Sequence, residues 1–123
     1  MATWNVLTLA QEGYAELVAK QMVKYRIDIA GCTETRISGS DLTVVGNSTL
    51  LHSGGATRHQ GDAVLLIQSM DRALMSWTPI SPRLLMARLR HKRGALFIVV
   101  AYAPTEQADM QTKDAFYDQL SAA

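Results

Sequence analysis

The segment Ile-Asp-Ile-Ala-Gly-Cys-Thr-Glu-Thr-Arg, residues 27–36, is the strongest indication of the fold in this chain. It begins with an apolar run, 27–32, which only Asp28 interrupts and which is typical of a buried strand. Upstream, the β-branched and apolar run 3–9 predicts a first strand. Residues 14–25 between the two runs repeat apolar side chains at helical spacing, with charged side chains opposite. Strand, helix and strand within about thirty residues indicate a crossover unit.

Beyond residue 36 the pattern changes to a succession of short strands. Runs 42–45 and 48–52 flank the dipeptide Gly46-Asn47, which predicts a hairpin. The remaining predicted elements are a surface loop at 53–61, a strand at 63–68, a helical turn at 71–73, a linker containing Pro79 and Pro82, strands at 83–90 and 96–101, and a helix at 109–120 with Met110, Phe116, Tyr117 and Leu120 as candidate buried positions. Because strands outnumber helices after the crossover, we expect an α+β fold, a mixed β-sheet with helices on one face.

Length and composition limit the class of protein. The 123 residues fit one domain, 1–123, and 48% apolar with 19% charged residues is typical of a globular chain. A net charge of +1 produces no overall field that would attract nucleic acid or a membrane. The apolar runs are far shorter than the roughly 20 residues of a membrane span, and the N-terminal residues contain no export signal. The single cysteine excludes an internal disulfide, so we expect an intracellular protein, cytoplasmic or nuclear, without a membrane partner.

Glu34 is the strongest candidate for a functional side chain. It follows the buried run 27–32 and should emerge at the tip of a strand, where the ligands of open sheets collect. Magnesium prefers oxygen ligands and typically uses one or two carboxylates together with water and substrate phosphate. From position alone, however, a solvated glutamate at a strand end is the more common situation.

Three further polar side chains lie within or just beyond predicted strands. Asn5 lies within the first strand, where asparagine is disfavoured, and its amide can bond a carboxylate or a phosphate oxygen. An amide that satisfies a nearby turn explains Asn5 equally well. Tyr102 and Thr105 follow the strand 96–101, and both can donate to phosphate. A tyrosine at a strand end is also often a core residue whose hydroxyl reaches water.

Other reactive or charged groups have simpler explanations. The basic run Arg88, Arg90, His91, Lys92 and Arg93 could contact a phosphate backbone, but at a hairpin tip such charges also discourage strand addition, which we favour. The histidines show no metal-ligand spacing. Cys32, next to the strand core, is best explained as a small buried hydrophobe.

Six segments carry a resemblance to a known family. In order along the chain they are Thr-Trp-Asn-Val-Leu-Thr-Leu at 3–9, Tyr-Arg-Ile-Asp-Ile-Ala-Gly at 25–31, Thr-Glu-Thr-Arg-Ile-Ser-Gly-Ser at 33–40, Gly-Asp-Ala-Val-Leu-Leu-Ile at 61–67, Trp-Thr-Pro-Ile-Ser-Pro-Arg at 77–83 and Val-Val-Ala-Tyr-Ala-Pro-Thr at 99–105. Together they resemble the N-terminal part of the endonuclease/exonuclease/phosphatase superfamily, the DNase-I-like fold. The nearest branch comprises the non-LTR retrotransposon endonucleases and the craniofacial development protein 2-like sequences.

This resemblance implies a fold, a cofactor and roles for the candidate residues. The family fold is a four-layer αββα sandwich, of which this chain would form about half. By resemblance Glu34 binds Mg²⁺ or Mn²⁺, Asn5 orders the site around the phosphate, and Tyr102 lies against the scissile phosphate. Arg36 stands where the family often has a basic residue near the substrate, and Thr105 would add a hydroxyl to the same substrate site. DNA, RNA and small phosphodiesters are all possible substrates, and the retrotransposon-like branch favours DNA.

Two departures from the family pattern set the functional hypotheses. The later Gly-Asp-Phe-Asn and Ser-Asp-His motifs do not occur in the 123 residues, and Asp62 stands where relatives usually have an apolar side chain. The first hypothesis is therefore the N-terminal part of a magnesium-dependent endonuclease that is inactive alone. The alternative is a non-enzymatic remnant that forms a homodimer, or binds a partner such as the missing C-terminal half, through an uncovered sheet face.

Overall fold

A computed structural model describes residues 1–6, 9, 13–55, 61–67, 70, 72–104 and 108–122 of the chain. Its regular elements are β1 (Ala2–Asn5), α1 (Tyr14–Lys24), β2 (Ile29–Thr33), β3 (Ser40–Val45), β4 (Ser48–Ser53), β5 (Asp62–Leu66), β6 (Leu74–Ser81), β7 (Leu84–His91), β8 (Gly94–Ala101) and α2 (Met110–Ala122). The predicted α+β class is confirmed.

Sheet A contains five strands in the order β1-β2-β5-β4-β3. Strands β1 and β2 are parallel and α1 connects them, so the predicted crossover unit is confirmed. The other pairs in sheet A are antiparallel, which makes the sheet mixed, as expected. The predicted hairpin around Gly46-Asn47 is formed by β3 and β4.

Sheet B contains the antiparallel strands β6-β7-β8. The linker expected around Pro79 is wrong, because residues 74–81 form β6. Proline cannot donate to a ladder and is therefore confined to edge strands or bulges. Strand β6 is at the edge of its sheet, and its register shifts between Pro79 and Ser81, so both conditions are met.

One apolar core joins the two sheets. Side chains of β2, β4 and β5 from sheet A and of β7 and β8 from sheet B form it, among them Leu51, Leu85 and Val100. Gly31 permits a close approach, because a Cβ atom there would lie 3.0 Å from a methyl carbon of Val100. The alternative hypothesis assumed a sheet with a bare apolar face. Sheet B packs on the face of sheet A that contains Leu51 and Val64. This face is therefore not bare, and the assumption is wrong for it.

A second core lies on the other face of sheet A. Met22 of α1 is fully buried there against strand residues such as Leu50 and Leu65. In α2 only Phe116 of the four expected buried positions is buried, while Met110 and Tyr117 are 71% and 54% exposed. The expectation for these two residues is wrong, because among the described residues of α2 only Phe116 is buried. Within the described residues, neither helix is long and apolar enough to cross a membrane.

Candidate functional site

The candidate residues lie where strands of both sheets end. Strand β1 ends at Asn5 and β2 ends at Thr33, and these two residues are partners in the parallel ladder. Glu34 follows Thr33 directly. On sheet B, β8 ends at Ala101 and Tyr102 follows it. Asn5 and Tyr102 also line one open groove between β1 and β8, with a volume of about 830 Å³.

A hydrogen bond between the sheets joins two of the predicted residues. The Tyr102 hydroxyl donates to Oε1 of Glu34 at 2.5 Å, although 68 positions separate them in sequence. This bond is the main cause that raises the pKa of Tyr102 above its ordinary value; partial burial and the nearby Glu34 charge add to it, and the Arg83 charge opposes it. At neutral pH the phenol therefore keeps its proton and serves as a donor.

The backbone around Glu34 has an unusual conformation. Glu34 and Arg36 have φ angles of 57° and 56°, in the left-handed region that is rare for residues with a side chain. Thr35 between them is fully buried, and its amide donates to the Gly61 carbonyl at 3.0 Å while its carbonyl accepts from the Leu9 amide at 2.7 Å. Bonds to two other segments therefore hold the strained turn that presents Glu34. Strain of this kind clusters at functional sites.

Two other predicted site residues are exposed. Arg36 is exposed on the turn after Glu34, and Asn5 is exposed at the end of β1. Thr105 lies outside the described residues, so its role stays a prediction. The structure thus brings Glu34 and Tyr102 into contact and places Asn5 on the neighbouring strand end.

Sequence reasoning did not identify Arg83, in the turn between β6 and β7. Its Nη1 donates to the Tyr102 carbonyl at 3.2 Å, and its carbonyl accepts from the Tyr102 amide at 3.0 Å. Its guanidinium carbon lies 5.4 Å from the centroid of the Tyr102 ring. The segment 77–83 contributed to the family resemblance, but no local pattern linked Arg83 to Tyr102.

Asp62 is a second carboxylate near this end of the sheets. It is the first residue of β5, opposite Thr33 on one side and Ser53 on the other. Its side chain is fully buried, and neither oxygen has a hydrogen-bond partner among the described residues. Burial raises the pKa of Asp62 to about 8, and the charge of Arg83 opposes the shift. A buried carboxyl without partners is most stable with its proton on.

The side chains around Glu34 are compatible with a bound magnesium ion, although they do not by themselves identify one. Among the described residues no group of three or more histidine, cysteine or acidic side chains could enclose a metal. Magnesium needs no such group, because it binds through one or two carboxylates, waters and substrate phosphates. Glu34 is partly exposed at a strand end and one of its oxygens is fixed by Tyr102, so it fits this single-carboxylate mode.

The remaining candidates lie elsewhere or are unreactive. Cys32 is fully buried, and burial, with the nearby Asp62 charge, raises the pKa of its thiol to about 12. A thiol with a pKa this high has little of the nucleophilic thiolate form at neutral pH.

The basic run lies toward the end of the β7–β8 hairpin and in its turn. There the guanidinium carbon of Arg88 lies over the ring of Phe97, 5.3 Å from the ring centroid.

Comparison with known proteins gives a distant relationship. The chain is 25% identical over 121 residues to craniofacial development protein 2 of Bos taurus, covering 98% of this chain and 20% of the relative. It is 24% identical over 121 residues to craniofacial development protein 2 of Tragulus javanicus, covering 98% of the chain and 21% of the relative. The chain thus spans about a fifth of the length of the curated relatives it matches. No protein-family profile matches it.

Proposed function

We propose that this chain carries the metal-binding and phosphate-facing part of a magnesium-dependent phosphodiesterase that acts on DNA. The observation that supports this most is the hydrogen bond between Tyr102 and Glu34, which joins strand ends of two different sheets. Both residues are those for which the DNase-I-like resemblance implies roles at the phosphate. The distant relationship to craniofacial development protein 2 is consistent with that resemblance.

The residues of this site have distinct tasks in the proposed function. Magnesium, when bound, supplies positive charge opposite the phosphate oxygens. The Glu34 carboxylate holds the ion, and the Tyr102 phenol fixes the orientation of that carboxylate. Asn5 offers an amide donor to a phosphate oxygen from the end of β1. Arg36, exposed on the next turn, and Thr105 provide contacts to the DNA backbone.

The resemblance assigns the proton-transfer step to no residue of this chain. In the family that the chain resembles, a Gly-Asp-Phe-Asn motif supplies an aspartate and an asparagine, and a Ser-Asp-His motif supplies the base and the phosphate-binding histidine. Neither motif occurs in the 123 residues. Loss of a general base or acid typically costs 10²–10⁴-fold in rate. We therefore expect binding of magnesium and DNA by these residues without efficient cleavage.

A magnesium titration in the presence of duplex DNA tests this function. Pure protein is incubated with intact and abasic duplexes, and both binding and cleavage are followed. We expect magnesium-dependent binding that Glu34→Ala removes, with little cleavage of either duplex. Arg36→Ala should weaken binding, whereas Arg88→Ala, on the distant hairpin, serves as the control for a lost surface charge. Robust cleavage that Glu34→Ala abolishes would refute the incompleteness, and binding independent of magnesium and Glu34 would refute the site.

A second candidate function is partner binding through an open sheet edge. Strand β8 is an edge strand of eight residues without a charged side chain, and its Phe97 and Val99 are 60% and 43% exposed. Such an edge is a template for another strand, from a second copy or from a missing C-terminal half. Sedimentation velocity tests this candidate. A dimer that Val99→Lys dissociates, while Val44→Lys on β3, an edge strand of sheet A, does not, would support it. A monomer at all concentrations would exclude the homodimer.

A further inference from the structure

Arg83 contacts Tyr102 through its backbone and through its side chain. The Tyr102 amide donates to the Arg83 carbonyl at 3.0 Å, and Nη1 of Arg83 donates to the Tyr102 carbonyl at 3.2 Å. The guanidinium carbon also lies 5.4 Å from the centre of the phenol ring. The two hydrogen bonds locate the backbone of residue 102, and the stacked guanidinium restricts the orientation of its ring.

Arg83 is itself anchored to the sheet that carries Glu34. Its amide donates to Oγ of Ser81 at 3.1 Å, and Oγ of Ser53 donates to the Ser81 carbonyl at 2.6 Å. Ser53 ends β4 in sheet A, whereas Ser81 ends β6 in sheet B. The path Ser53, Ser81, Arg83, Tyr102, Glu34 therefore begins and ends on sheet A and passes through sheet B.

The chemistry of arginine suits this position. A guanidinium is planar, so it can stack on a phenol ring and still direct an N–H toward a carbonyl in its own plane. Lysine retains the charge but has neither the plane nor the fork of donors. The short bond from Tyr102 to Glu34 requires the phenol in one position, and a freely rotating tyrosine would lose conformational entropy to reach it.

We propose that Arg83 is the positioning residue of this site, which holds Tyr102 so that its hydroxyl reaches Glu34. The functional consequence of this positioning rests on the proposed function. Tyr102, which faces the phosphate, and Glu34, which holds the metal, are then fixed relative to each other before the substrate binds. The geometry of the positioning itself requires neither metal nor DNA.

Carbon-13 NMR of the full chain, labelled at Cζ of tyrosine and free of metal and DNA, tests the proposal at neutral pH. Tyr102→Phe identifies the Tyr102 signal among the 4 tyrosines of the sequence. Glu34→Ala gives the chemical shift of a Tyr102 phenol without its carboxylate partner. Arg83→Lys should move the signal most of the way to that reference, although the positive charge remains.

The matched control is Arg88→Lys. Arg88 also stacks on a ring, with its guanidinium carbon 5.3 Å from the centroid of Phe97, but it lies on the exposed face of the hairpin. This variant should leave the Tyr102 signal in place. A Tyr102 signal that stays at the wild-type position in Arg83→Lys, or that moves equally in Arg88→Lys, would overturn the proposal.

A measurement on the unmutated protein covers the case in which Arg83→Lys does not fold. Because the guanidinium lies over the phenol ring, the Cδ protons of Arg83 should be shifted upfield by the ring current relative to those of exposed arginines. Tyr102→Leu should abolish that shift. Arg83 protons at ordinary positions in the wild-type protein would contradict the proposal. None of these NMR measurements uses metal or DNA. A negative result here would therefore refute the positioning role of Arg83 without refuting the proposed function.

Discussion

Tyr102 and Glu34 lie on different sheets and 68 residues apart, yet a hydrogen bond of 2.5 Å joins the phenol of one to the carboxylate of the other. The bond closes the end of the protein at which β1, β2 and β8 terminate. The bond therefore stabilises the contact between the two sheets. It also fixes the orientation of Glu34, the proposed metal ligand.

The first prediction concerns this bond as a contribution to stability. Tyr102→Phe and Glu34→Ala should each lower the free energy of unfolding by about 1 kcal/mol, since hydrogen bonds to charged groups contribute about 1.5–3 kcal/mol and the pair is partly exposed. The double variant should cost little more than either single one, because both remove the same bond. Urea denaturation measures all three. Fully additive losses would show that the two side chains do not interact.

The second prediction concerns Asp62 and pH. Burial raises the pKa of this carboxyl from 3.8 to about 8, so between these values the folded chain holds a proton that the unfolded chain has released. The free energy of unfolding should then fall as pH rises, by about 1.4 kcal/mol for each pH unit from one such group. Urea denaturation of wild type and Asp62→Asn between pH 5 and pH 8 measures the difference in slope.

Asp109 provides the control for the Asp62 experiment. Its Oδ1 accepts a hydrogen bond from the Thr112 amide at the start of α2, and that bond lowers the pKa of the Asp109 carboxyl. Stability from this group is present above the ordinary pKa of an aspartate and is lost only as pH falls through the lowered value. Asp109→Asn should thus leave the slope between pH 5 and pH 8 unchanged. An Asp62→Asn variant with the wild-type slope would show that Asp62 is ionised in the folded chain.

The third prediction concerns the thiol of Cys32. Burial is the main cause that raises its pKa to about 12, and the nearby Asp62 charge adds to the shift. Only the thiolate reacts with alkylating reagents, so the folded protein should resist iodoacetamide at pH 8 and become reactive in urea. Mass spectrometry of the alkylated chain measures this. Rapid alkylation of the folded protein would place the thiol in contact with solvent.

The fourth prediction concerns the turn that presents Glu34. Gly61 has a φ of 144°, and a Cβ atom there would lie 2.4 Å from Oγ1 of the buried Thr35. Gly61→Ala should lower the free energy of unfolding by about 1–3 kcal/mol more than the control, as overpacking of a core does. Gly94→Ala is the matched control, since Gly94 has a φ of 143° but nothing within 4 Å of an added Cβ atom. Equal losses in the two variants would mean that the turn yields to the added methyl group.

Local patterns were sufficient for part of this fold. The crossover of β1, α1 and β2 could be predicted because helical spacing and apolar runs are properties of neighbouring residues. Strand β6 could not, because Pro79 is a local signal against a strand and only the edge position makes it acceptable. Met110 and Tyr117 of α2 were expected to be buried on the same grounds as Phe116, but only Phe116 is buried among the described residues of this helix. Which side of a helix meets the rest of the protein depends on the tertiary structure, which helical spacing alone does not specify.

The candidate site divides in the same way. Glu34 and Tyr102 could be proposed from their positions after apolar runs, because the ends of strands are visible in the sequence. The contact of Arg83 with Tyr102 depends on how the β6–β7 turn meets the end of β8, which no local pattern encodes. The pairing of Asp62 with Thr33 and Ser53 likewise follows from the order of strands in sheet A.

Titration calorimetry with Mn²⁺ measures whether Glu34 is the ligand of a divalent cation. The wild-type chain should bind the ion, and Glu34→Gln, which keeps the size of the side chain and removes its charge, should weaken binding at least about tenfold, or about 1.4 kcal/mol. Glu16→Gln, an exposed acid in the first turn of α1, should bind as the wild type does. No heat from the wild-type chain, or the same affinity in Glu34→Gln, would show that Glu34 does not hold the cation.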